Sequence, residues 1–110
     1  MTLALNNADI QTHLQQLPGW HWLSATRCIQ KEWVFDRFTT ALAFFQAVGE
    51  LAEALDHHPD CWSSYTRMRI QLTTHDAQGL TDKDFQLAAQ IERMLEEKFA
   101  GQFSVTLQTT

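Results

Sequence analysis

The sequence predicts an α+β fold, an antiparallel sheet with helices packed on one face. Two segments alternate apolar and polar residues with the two-residue period of a half-buried strand. Others repeat apolar residues at three and four positions, as helices do. The two kinds interleave along the chain with polar or Gly-containing turns between them.

The first element is a short helix over residues 8–17, with Ile10, Leu14 and Leu17 on one face and Pro18-Gly19 ending it. Residues 20–23 read as a strand and "SAT" as a polar turn. A second strand spans 27–35, with Ile29, Trp33 and Phe35 on one face and Gln30 and Glu32 on the other. Lys31 interrupts that pattern, and its stem is long enough to lie over apolar neighbours. The clearest helix spans 37–56. Phe38, Ala41, Leu42, Phe45, Val48, Ala52 and Leu55 form its apolar stripe, Asp36 or Thr39 caps it, and Pro59 stops it. Residues 65–74 read as a strand with Met68, Ile70 and Leu72 inward. Thr81 and Asp84 open the last helix as a capping box with Asp in place of the usual Glu or Gln. That helix runs to 99, with Phe85, Ala88, Ile91, Leu95 and Phe99 inward, and "SVTL" after Phe103 reads as a final short strand.

Length and composition bound the function. A chain of 110 residues has room for one domain, 1–110, and not for two. With 45% hydrophobic residues, four Trp and seven Phe it can build a core, which excludes a disordered chain. A net charge of -5 and the lack of any Lys/Arg run argue against direct nucleic-acid binding. No stretch has the length of a membrane span, and "MTLALNNADI" lacks the basic and apolar regions of an export signal. The cytoplasm is therefore the expected location, and Cys28 and Cys61 are expected to stay unpaired.

The chemistry concentrates in "EALDHHPDCW", Glu53 to Trp62. Glu53 and His57 are four apart, hence neighbours on a helix face. His58 leaves the helical path before Pro59 and can turn toward the same pocket. His75 arrives from the end of the strand over 65–74. Each residue also has a plain role. Glu53 fits a solvated helix face, the two histidines fit partners for the last helix carbonyls, and His75 fits a loop. Pro59 fits a helix stop, Asp84 a cap, and Trp62 and Tyr65 packing. Three sharper readings compete with these. A metal site is disfavoured, because adjacent histidines chelate one ion poorly and no H-x-x-x-H pair is present. Acid–base catalysis suits imidazoles that titrate near neutral pH, with a carboxylate to fix a tautomer. An interaction module would instead use the aromatics and helix faces.

The series Glu53, His57-His58-Pro59, Tyr65, His75 and Asp84 resembles the signature of the pterin-4a-carbinolamine dehydratases. The similarity extends to "LPGW", "WVFDRFTTALAFF" and "THDAQGLTDKDFQLAAQIE", about residues 14–92. The resemblance implies a four-stranded antiparallel sheet with helices on one face. It implies dehydration of a 4a-hydroxytetrahydropterin to the quinonoid dihydropterin, in recycling of the cofactor of aromatic amino acid hydroxylases, with no metal or other cofactor. It implies His57, His58 and His75 as the catalytic set. His57 and His75 would act as acid and base, with His58 as a helper. Substrate contacts would come from Glu53, Pro59, Asp60, Trp62, Thr74 and Asp84. The resemblance departs at Cys61, where many members carry Trp or another large apolar residue. It further implies a homodimer or homotetramer built from sheet edges and helices. Two other roles occur among similar proteins: a dimerisation cofactor for a transcription factor, and a dehydratase-like protein in another pterin pathway such as that of molybdopterin.

Overall fold

The computed structural model describes residues 3–106. In chain order the elements are α1 (Asn7–Leu14), β1 (His21–Leu23), β2 (Cys28–Phe35), α2 (Phe38–Leu55), β3 (Asp60–Ser64), β4 (Arg67–Leu72), a 3-10 turn (His75–Ala77), α3 (Asp82–Lys98) and β5 (Phe103–Val105). The class is the α+β arrangement predicted. The antiparallel sheet has the four-strand path β1-β2-β4-β3, with β5 pairing β2 beside it as a fifth strand. Of the expected "SVTL" strand, Ser104 and Val105 lie in β5, and Leu107 falls outside the described residues.

Alternation in β2 and β4 fixes the inner face. Ile29, Trp33 and Phe35 join Met68, Ile70 and Leu72 in the core beneath α2 and α3, which contribute Phe44, Val48, Ile91 and Leu95. Glu32, Arg67 and Arg69 stand on the other face, where both arginines donate to the Glu32 carboxylate. The strand over 65–74 is shorter than expected. Tyr65 occupies the turn between β3 and β4 with a left-handed φ of 55°, and its ring stacks on Phe38. β3 was not foreseen, because "DCWSS" at a sheet edge shows no apolar alternation.

The buried arc of α2 also differs from the expected stripe. Ala41, Val48 and Ala52 are buried as expected, but Phe44 and Ala47 complete the arc, while Phe38, Leu42 and Phe45 are about half exposed. The segment "FTTALAFF" is apolar on several sides, so its period gives a helix and not the helix's rotation.

Lys31 shows how the sheet is locked to α3. It lies on the inner face at 4% exposure. Its ammonium donates to both Glu92 oxygens, at 3.0 and 2.9 Å, and to the Pro18 carbonyl at 3.0 Å. The Trp20 indole N–H donates to the same Glu92 at 3.0 Å. Gly19 is required here, since its φ is +88° and a Cβ would stand 2.8 Å from the Lys31 stem. Removing one partner of a buried ion pair leaves an uncompensated charge, whereas an exposed pair is worth little. Glu92→Ala is therefore expected to lower the unfolding free energy by about 2 kcal/mol, the value for a partly solvated pair. Urea titration measures it, and a change no larger than that of a solvated surface residue refutes the lock.

Candidate active site

The site begins where α2 ends. Asp56 adopts the left-handed conformation, φ 51° and ψ 45°. Its N–H reaches the Glu53 carbonyl, and the His57 N–H reaches the Ala52 carbonyl at 3.0 Å. This is a Schellman ending with Asp in the position usually held by Gly. The helix therefore stops at Leu55, ahead of Pro59, and Glu53 does not meet His57 as helical spacing predicted. Glu53 bonds the His58 Nε2 instead, both side chains well exposed. His57 turns inward, to 9% exposure. The two adjacent histidines thus point into different environments rather than into one.

His57 meets Asp84, its Nε2 lying 2.6 Å from Oδ1. Asp84 is fully buried in the first turn of α3. Its Oδ2 accepts from the Thr74 hydroxyl at 2.8 Å and from the Thr81 backbone N–H at 2.9 Å. Thr81 and Asp84 form both halves of the capping box. Asp84 is therefore the predicted cap and a site residue at once. The helix dipole favours its charge, and three donors replace lost water. A carboxylate can only accept, so the His57 Nε2 carries a hydrogen and donates it to Asp84.

His75 opens the 3-10 turn and is exposed. Thr74, the residue before it, bonds Asp84, which brings the base of that turn to the His57 cluster. Pro59 follows the histidines directly, and Asp60 opens β3 opposite Gln71. Trp62 stands on the sheet face away from Ile70, with the Arg69 guanidinium 5.9 Å from its ring centre; no bond of the Asp84 cluster reaches it. Sequence reasoning gave Thr81 only a capping role. The capping-box spacing was its signal, but the Thr74–Thr81 contact depends on the fold. Among the described residues, no group of three or more His, Cys, Asp or Glu side chains is disposed to hold a metal ion.

Residues 3–94 match the family described as Pterin 4 alpha carbinolamine dehydratase. The chain belongs to this family. A Chloroflexus aggregans protein named, provisionally, as a pterin-4-alpha-carbinolamine dehydratase is 48% identical over 91 residues, covering 83% of this chain and 96% of that protein. One of the same provisional name from Picosynechococcus is 42% identical over 94 residues, 86% of this chain and 100% of that one. The crystal structure titled transcriptional coactivator/pterin dehydratase from Brucella melitensis superposes with a TM-score of 0.80 at 30% identity, over 83% of this chain and 97% of that chain. A pterin dehydratase-like RuBisCO assembly factor of the alpha-carboxysome shares the fold, with a TM-score of 0.60 at 19% identity, over 69% of this chain and 88% of its own.

Cys61, on β3, has a displaced ionisation. Burial first, then the Asp60 charge, pushes its thiol from 9.0 up to about 11. Burial raises Cys28 as well, against an opposing hydrogen bond with Thr26. The strand register puts the two cysteines on opposite sheet faces, and both are free thiols. A raised pKa keeps the neutral form until the pH approaches it, and the thiolate is the nucleophile. Iodoacetamide at pH 8 is expected to alkylate Cys61 in the folded protein roughly 100-fold more slowly than an ordinary thiol, with the rate climbing toward pH 10. Peptide mapping reads each site; labelling as fast as free cysteine refutes the assignment.

Proposed function

We propose that the protein dehydrates a 4a-hydroxytetrahydropterin to the quinonoid dihydropterin by histidine acid–base catalysis, in the cytoplasm. The observation that carries this is His57, an imidazole fixed in one tautomer by a buried carboxylate in a chain of the pterin carbinolamine dehydratase family. The reaction breaks one carbon–oxygen bond. A donated proton leaves with the hydroxyl as water, and the neighbouring ring nitrogen forms a double bond to carbon and loses its own proton. One group must give a proton and another must take one. His57, held at Nε2 by Asp84, and the exposed His75 fill these roles. His58, paired with Glu53, assists binding. Pro59 and Asp60 complete the proposed substrate contacts, whereas Trp62, on the other sheet face, is not among them. This chemistry needs neither metal nor redox cofactor.

The outer stripe of α2 supports a homo-oligomer. Phe38, Leu42 and Phe45 are exposed together, with the Tyr65 ring stacked on Phe38. A second copy of the chain covers this apolar surface. The same stripe favours a second reading, in which the chain serves chiefly as an adaptor for another protein; its Brucella relative is named a transcriptional coactivator as well as a pterin dehydratase.

The decay of enzymatically generated 4a-carbinolamine, followed with and without the protein, tests the leading reading. His57→Ala and His75→Ala are each expected to lower kcat by about 10²-fold with the fold intact by circular dichroism, and the double variant to be slower than either. His58→Ala is expected to raise KM more than it lowers kcat. The parent rate holds in a strong chelator. A folded double variant with the parent's rate overturns the catalytic assignment and favours the adaptor. Leu42→Glu is expected to convert the oligomer to a smaller species by light scattering. An unchanged mass, or a monomeric parent, refutes the α2 interface.

A further inference from the structure

Thr74 has its polar hydrogens and its carbonyl occupied within the protein. Its N–H donates to the Gly79 carbonyl at 3.0 Å, and its carbonyl accepts from Ala77 at 3.1 Å and Gly79 at 3.4 Å. Its hydroxyl lies 2.8 Å from Asp84 Oδ2 and 2.7 Å from the Thr81 hydroxyl. The proton directions follow from chemistry. The carboxylate can only accept, so the Thr74 hydroxyl hydrogen points at Asp84. That hydroxyl then has only lone pairs to offer, so Thr81 donates to Thr74. The order of donation is Thr81 to Thr74 to Asp84, and the other carboxylate oxygen accepts from His57.

We infer that Thr74, backed by Thr81, is a positioning residue for His57 rather than a substrate contact. Its hydroxyl holds one oxygen of Asp84 so that the other faces the His57 Nε2. A hydroxyl that both donates and accepts in this chain has no hydrogen left for a bound heterocycle. Thr81 is 3% exposed and Asp84 0%, so water does not freely reach either partner of the Thr74 hydroxyl. The backbone of Thr74 is extended, φ -110° and ψ 101°, which a β-branched Val adopts without strain. Thr74→Val therefore removes the hydroxyl while keeping volume and backbone.

The inference rests on the dehydratase reading for its kinetic arm only. Ring-nitrogen NMR of histidine-labelled protein reports the His57 tautomer whether or not the protein dehydrates a pterin. In the parent, His57 is expected to show a single Nε2–H tautomer. Thr74→Val is expected to give a mixed-tautomer signal and a kcat about tenfold lower with KM within about twofold, while Thr74→Ser restores both. Thr81→Val is expected to act in the same direction and more weakly. Should that variant unfold through loss of its cap, Thr81→Gly supplies the test, since Gly is tolerated at that helix position. A folded Thr74→Val protein with the parent's His57 signal overturns the inference. So does a raised KM with unchanged kcat, which marks a substrate contact. If the parent proves inactive while the tautomer still responds to Thr74→Val, the positioning role stands and the dehydratase reading falls.

Discussion

Burial of the Asp84 carboxylate is the constraint on which the arrangement of the site depends. An ionised carboxylate out of water is stable only when its oxygens meet donors. Here those donors come from three places: the ring of His57 just beyond α2, the hydroxyl after β4, and the backbone at the start of α3. Each must lie within hydrogen-bonding distance for the charge to be tolerated. The need to satisfy one buried charge therefore aligns three chain segments with one another. The residue that starts α3 is the same one that orients the imidazole, so helix capping and site geometry are a single requirement.

How far the sequence disclosed this varies by element. β4 and α3 were legible because each packs one face against the core, so burial imposes a clean period on the residues, and β2 was legible from the alternation of Ile29, Trp33 and Phe35, although Cys28 to Lys31 are buried on both faces. β3 was not, because an edge strand with one half-buried side is held by pairing to β4 rather than by its own pattern. The rotation of α2 was hidden by apolar residues on several sides, Phe38, Leu42 and Phe45 among them. In the site, the histidines and Asp84 stood out by residue type and spacing. The partnerships did not. Glu53 and His57 sit at helical spacing, yet Asp56 turns left-handed and hands Glu53 to His58. Asp is an uncommon residue for that turn, so no glycine marks it.

Lys31 and Asp84 make an instructive pair. Both are charged residues on the inward side of the molecule, and both are neutralised at α3, one through Glu92 and one at the helix's first turn. The inner face of the sheet is otherwise apolar, so these polar anchors fix the direction in which α3 lies across it, which side-chain packing alone specifies less sharply. The long Lys31 stem also covers Trp33, with the ammonium 5.4 Å from the ring centre.

The two edges of the sheet are unequal in what they offer an added strand. On one side, β1 and β5 lie end to end along β2, each only three residues long. That edge is interrupted and gives an incoming strand no continuous ladder to extend. On the other side β3 offers five residues. The two borders therefore differ in how open they are to strand addition: an added strand meets five consecutive residues of backbone at β3 and a broken run beside β2.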